Sequence, residues 1–383
     1  MNTPEYNISS CEVKRARKLD YLAGNGQKKW EPKDKLVLNG VDITSALVKF
    51  RNSSIKAAED INGLNPLRVL SLSHVFLVNK LDPKNCISSY LEEKESKALS
   101  DWSHSLCYNI PRASNDAVLY CKSIADGDEA KDFKIEDDSV LSAMIKDLAD
   151  QLINNKVKVN QSSEMSFMDK YLIPAIRRVL LNNAAEEVDG ANSNGKKPDF
   201  MLGFSKKRQD VYCFFVEVKR PNMKSNYQEE GDMTKLLKQL KASIDKQLLL
   251  GLRDPTSLGL LMEGFKCSLF KMTLVADGVY LPLLIKLFSL VEEVHEMALL
   301  PLIVESLMFV KNELAAAKKR LEEKKTRKEK KAAKERELAA WFVLVELSYK
   351  SARTWLESIR KDACANNQVI YNSTSIKEDT KVL

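Results

Sequence analysis

The chain has 383 residues, with 60 Lys+Arg against 53 Asp+Glu (formal charge +7), 44% hydrophobic and 30% charged residues. This balance excludes a disordered chain, and the length leaves room for two or three domains with buried cores. No apolar run reaches the roughly 18 residues of a spanning helix; the best candidate, 281–310, is broken by Lys286, Glu292, Glu293, His295, Glu296 and Glu305, so no membrane partner is expected.

Residues 1–40 mix Asn, Lys, Pro and Gly without periodicity and read as a poorly ordered arm. A mostly helical region is expected over 41–160, with helices starting at Asp42, Pro83 and Ser139. Residues 67–78 are too short to separate helix from strand, and 112–138 read as loop and short elements. Ser162-Ser163-Glu164 then caps an amphipathic helix reaching about Asn183. After a Gly/Asn turn come two strand-like runs, 198–204 and 211–219, rich in aromatic and β-branched residues. Residues 232–250 form a helix with Leu236, Leu237, Leu240, Ile244 and Leu248 on one face. Residues 267–276 and 279–285 make a hairpin whose Asp277-Gly278 fits a type I′ turn. The expected order over the 161–295 core is α-β-β-α-β-β.

Long helices are predicted over 296–366, and a disordered tail over 367–383. Ile303, Leu307, Val310, Leu314, Ala317 and Leu321 make a coiled-coil-like stripe, a candidate for self-association through 303–321. Residues 311–336 hold 12 Lys/Arg and five Glu, so this one segment carries the whole +7. Lys319, Arg320, Lys324, Lys325, Arg327 and Lys328 are its candidate nucleic-acid contacts. The alternative is a solvated helix with no ligand.

The rare residues narrow the chemistry. Three histidines, His74, His104 and His295, leave few His-based triads, and no Gly-rich nucleotide loop occurs. Among Cys86, His104, Cys107 and Cys121 only one pair is tightly spaced, so buried thiols are a better reading than zinc. Seven widely spaced cysteines, with no CxxC and no leader at Met1–Tyr6, predict reduced thiols in the cytosol or nucleus; the basic segment favours the nucleus.

One arrangement carries chemistry. Pro198-Asp199 is followed, after seventeen residues, by Glu217-Val218-Lys219 at the end of an apolar strand. Side chains alternate along a strand, so Glu217 and Lys219 share a face, and a neighbouring strand can bring Asp199 alongside. Two hard carboxylates suit Mg²⁺ (or Mn²⁺), and a lysine beside a bound water can orient it. The competing reading is a structural ion pair where a central strand meets solvent.

These residues resemble the signature of the PD-(D/E)XK nuclease superfamily, whose core runs α-β-β-β-α-β. The wider pattern, with Ser163-Glu164, Asp232-x-x-Lys235-x-x-Lys238 and Asp277-Gly278, is also similar to uncharacterised fungal nuclease-like proteins. The resemblance covers about 162–290 and departs at 188–197, where the superfamily has a strand. It implies an α+β, helix-rich fold: a small mixed sheet of the nuclease type flanked by helices, with additional N- and C-terminal helical regions. It further implies metal ligands at Asp199 and Glu217, a catalytic Lys219, and Glu164 as a further acidic residue. Lys206, Lys207 and Arg208 in the strand turn, and Lys235, Lys238 and Lys241 on the following helix, are candidate phosphate contacts. The expected function is Mg²⁺-dependent hydrolysis of nucleic acid, DNA favoured. The alternative is a non-catalytic nuclease-like module that binds nucleic acid or protein.

Overall fold

The structure is a computed structural model and describes residues 30–58, 65–79, 86–106, 108–127, 139–154, 163–181, 198–206, 209–221, 231–252 and 254–322. The expected arm (apart from 30–40), the Gly/Asn turn at 189–195, the stretch 188–197, most of the basic segment and the tail lie outside the described residues.

A two-stranded ribbon, β1 (Val37–Leu38) and β2 (Val41–Asp42), leads into α1 (Ile43–Ala57). Asp42 caps α1 by accepting from the Ser45 amide at 2.9 Å. The ambiguous run at 67–78 turns out to be both things. Residues Pro66–Leu72 form α2, whose N-cap is Asn65, and Val75 and Val78 then bridge in parallel to Tyr280 and Leu283 at a sheet edge. Helix α3 is Glu93–Ser105. The stretch expected to be loop contains α4 (Asn115–Asp126), capped by Ser114 and closed by Gly127 in the left-handed conformation. Helix α5 is Val140–Asn154. The capped helix at Ser163 is α6 (Glu164–Tyr171), continued past Leu172 by short turns to Leu181.

The main sheet has five strands in sequence order: β3 (Phe200–Lys206), β4 (Gln209–Lys219), β5 (Thr256–Glu263), β6 (Lys266–Ala276) and β7 (Val279–Ser289). Strands β4 and β5 are parallel, joined through α7 (Asp232–Leu249); the other neighbours are antiparallel. Strand β5 is the strand of this core that the sequence pattern does not predict. All of its residues but Glu263 are buried, so it shows no alternation to distinguish it. The β3–β4 register shifts at Gly203, where a Cβ would lie 2.1 Å from the Val211 carbonyl oxygen, so only glycine fits this bulge. At the β6–β7 turn only Gly278 takes a positive φ (68°); Asp277 does not, which corrects the type I′ expectation.

One face of the sheet, with Phe214, Val216, Val218, Leu258, Leu260 and Met262, packs into a core shared with α4, α5, α6 and α8 (Leu300–Glu322). The first helical region therefore contributes to the same core as the strands. Ile303, Leu307, Val310 and Ala317 are all buried, and the first three belong to this core. These four stripe residues are spent inside the chain and offer no face to a second copy. The other face of the sheet receives α7, whose Leu236 and Leu240 lie against Gly259. No helix among the described residues is long and apolar enough to cross a membrane.

Candidate active site

The site lies where β4 ends against the start of α7. Glu217, facing α7, is only 2% exposed, and both its oxygens are engaged from that helix. Oε2 accepts from Lys235 Nζ at 2.5 Å, and Oε1 from Gln239 Nε2 at 2.8 Å. Lys235 and Gln239 are four residues apart, one turn on the same helical face. Burial pushes the Glu217 carboxyl up to about 7, against the opposing pull of Lys235 and Gln239, with the neighbouring Asp199 charge adding to the rise.

Asp199 stands just before β3, and the backbone holds it. Its N–H donates to the Val216 carbonyl at 3.1 Å, and its Oδ2 accepts from the Val218 N–H at 2.7 Å. The carboxylate adds one rung to the ladder beyond the end of β3. Burial raises its pKa, and the Asp232 charge adds to the rise, while the Val218 amide, Lys235 and Lys219 act in the opposite sense.

Lys219 Nζ sits 3.7 Å from both Glu164 Oε1 and Asp232 Oδ2, so the first turns of α6 and α7 converge on the end of β4. The Gly264 N–H donates to the Lys219 carbonyl at 2.7 Å and ties this end to β5. Four carboxylates (Glu164, Asp199, Glu217, Asp232) share the cluster with two ammonium groups. Charges of one sign this close add to the effect of burial and raise the carboxyl pKa values of Glu217 and Asp199.

The fit to a divalent ion can be judged from the oxygens. Among the described residues no group of three His, Cys, Asp or Glu could hold an ion by itself. Asp199 and Glu217 supply two hard donors, which suits Mg²⁺, an ion that keeps water and substrate oxygens in its shell. Gln239 adds a third oxygen: its Oε1 is buried without a hydrogen-bond partner beside Glu217. The donor set fits.

The remaining candidates fall elsewhere. Lys206 pairs with Gln209 at the opposite end of β4, eight residues or roughly 26 Å from Glu217; Lys207 and Arg208 lie outside the described residues. Lys235, expected to face a phosphate backbone, is instead paired with Glu217, its side chain 18% exposed. Lys241 pairs with Asp245 at 2.6 Å and covers the Tyr280 ring. Lys238 is half-buried on the same helix. Lys319 is exposed, whereas Arg320 Nη2 donates to Thr256 Oγ1 at 3.1 Å, at the end of β5 away from the site. Lys324, Lys325, Arg327 and Lys328 lie outside the described residues. Sequence reasoning missed Asp232 and Gln239 as members of the site. Asp232, Lys235 and Gln239 step by three and four along one face of α7, but that spacing does not say what the face meets.

No family model, curated protein or solved structure matches the chain.

Proposed function

We propose that the chain is a divalent-metal-dependent phosphodiesterase acting on nucleic acid, DNA favoured, built on a PD-(D/E)XK-type core. The observation that carries this reading is the convergence of Asp199, Glu217 and Lys219 at one sheet end, ringed by Glu164, Asp232 and Gln239. The element order α6-β3-β4-α7-β5 supports it, differing from the superfamily order by one strand, whose place falls at 182–197, outside the described residues.

In this reading Asp199, Glu217 and the Gln239 carbonyl hold Mg²⁺ or Mn²⁺. When bound, the ion supplies a lowered water pKa and charge for the phosphate oxygens. Lys219, held between Glu164 and Asp232, orients the attacking water and faces the charge that develops on phosphorus oxygens. The Val218 amide fixes the Asp199 carboxylate before any ion arrives, so little reorganisation is needed.

The test compares wild type with Asp199→Ala and Lys219→Ala on plasmid and single-stranded DNA, with Mg²⁺, Mn²⁺ or EDTA. Cleavage that needs metal and is lost in both variants is the expected result. Equal cleavage by variants and wild type identifies a contaminant and ends the proposal. A second reading, a non-catalytic nuclease-like binding module, is favoured by the engagement of both Glu217 oxygens by α7. It predicts DNA binding without cleavage under every metal condition.

A further inference from the structure

Glu217 is 2% exposed, and its Oε2 already faces a full positive charge that belongs to the protein. Lys235 Nζ lies 2.5 Å from that oxygen, reaching in from the second turn of α7. A carboxylate 2% exposed cannot stay ionised alone, because desolvation without a counter-charge is costly. Lys235 supplies the counter-charge. An ammonium group and a divalent ion cannot share one oxygen at contact distance, so an ion that uses Oε2 has to evict the ammonium.

Lys219 does not play this part. Its Nζ faces Glu164 and Asp232, 3.7 Å from each. Nor does Gln239, which is neutral and bonds the other oxygen. Once evicted, Lys235 still has a flexible four-carbon stem and a side chain 18% exposed, so its ammonium can swing towards the mouth of the site. It then needs a new anion, and a phosphodiester brought to the same site is one.

We propose that Lys235 is a tethered cation that keeps the site closed to divalent ions until a polyanion arrives, and then pairs with its phosphate. This rests on the metal-dependent reading above. Ion and nucleic acid thereby become coupled ligands, each tightening the other's binding by the same factor. Lys235 is a positioning residue whose role is to make loading depend on substrate.

The experiment uses the full chain in alkaline buffer and follows free Mn²⁺ by its electron paramagnetic resonance signal, so the readout is binding and not turnover. Wild type, Lys235→Met and Lys235→Gln are titrated with and without a phosphorothioate DNA oligonucleotide that resists cleavage. Thermal unfolding reports that each variant is folded; Lys235→Gln keeps a donor for Oε2 and serves if Lys235→Met does not fold. Expected is Mn²⁺ binding about tenfold tighter in the variants than in wild type without DNA, and a wild-type gain on adding DNA that the variants lack. Equal affinity in wild type and variants without DNA overturns the gate, as does an undiminished gain in the variants. If Asp199→Ala alone abolishes binding while the Lys235 variants match wild type, the metal site stands and the gate falls. If no protein binds Mn²⁺ under either condition, both fall.

Discussion

Two buried glutamates in this molecule each meet a lysine, among different neighbours. Glu305, on α8, is 4% exposed. Its Oε2 accepts from Lys286 at 2.7 Å, its Oε1 from the Ala113 amide at 2.9 Å, and Arg112 lies 3.7 Å away. Two cations and an amide surround one carboxylate, and the result ties α8, β7 and the approach to α4 together. Glu217 has one lysine and a ring of acids: Asp199 raises its pKa, and Asp232 and Glu164 share Lys219. A buried ion pair says nothing about function by itself. At Glu217 burial and the neighbouring Asp199 charge raise the carboxyl pKa, and that crowding is what the proposed metal site rests on.

The contrast can be broken most sharply through activity. Asp199→Ala or Lys219→Met should lower metal-dependent cleavage by about a thousandfold, read as initial rates on plasmid DNA. Lys219→Met should move the unfolding midpoint little, and Asp199→Ala by no more than the lost Val218 amide bond, about 1 kcal/mol. Glu305→Ala should do the reverse. It strips the partner from Lys286, which is 14% exposed, and should cost about 3 kcal/mol in urea unfolding while leaving the rate of the folded fraction intact. If Glu305→Ala proved harmless to stability and Asp199→Ala ruinous to it, the two clusters would have exchanged roles.

The pH dependence comes next in size. An ion needs Glu217 ionised, so cleavage should fall about tenfold per pH unit below about 7 and level off above it. Stability runs the opposite way. The folded state holds the Glu217 proton to about 7, whereas the unfolded chain loses it near 4.5. The folded state therefore binds more protons in between, and its contribution is full below 4.5 and lost as pH rises through about 7. Glu217→Gln should flatten that part of the unfolding profile; an unchanged profile would mean that Glu217 is not the group responsible. The smallest effect sharpens the packing side. A Cβ at Gly259 would lie 3.0 Å from Leu240 Cδ1 and 3.1 Å from Leu236, so Gly259→Ala should cost about 1 kcal/mol by pushing α7 off β5.

What the sequence disclosed follows the strength of local signals. The Ser163 cap, the apolar run ending in Glu217-Val218-Lys219 and the Leu face of α7 each leave a pattern in neighbouring residues, and each element was found. Strand β5 left none, since burial on both faces removes the alternation that marks a strand. Helix α4 lies in a stretch whose sequence predicts only loop and short elements, because Ser114 and Gly127, the residues that cap it, are also ordinary loop residues. Asp199, Glu217 and Lys219 could be paired from spacing alone. That Lys235 and Gln239 bond Glu217 could not, because the contact depends on where the crossover lays α7 over the sheet. Charge was the poorest guide: among the described residues, the basic stretch that carries the net charge places Arg320 on Thr256 and Glu313 on Lys271, both away from the site residues.

The rung that Asp199 adds to β4 makes the site visible to a spectrometer. With its proton captured by a side-chain carboxylate and not by a neighbouring strand, the Val218 amide can exchange with solvent deuterium only when that carboxylate lets go. One peptide group, lying between the two charged residues of the motif, thus acts as a clock for how often the acidic cluster comes apart, and it keeps time without a substrate.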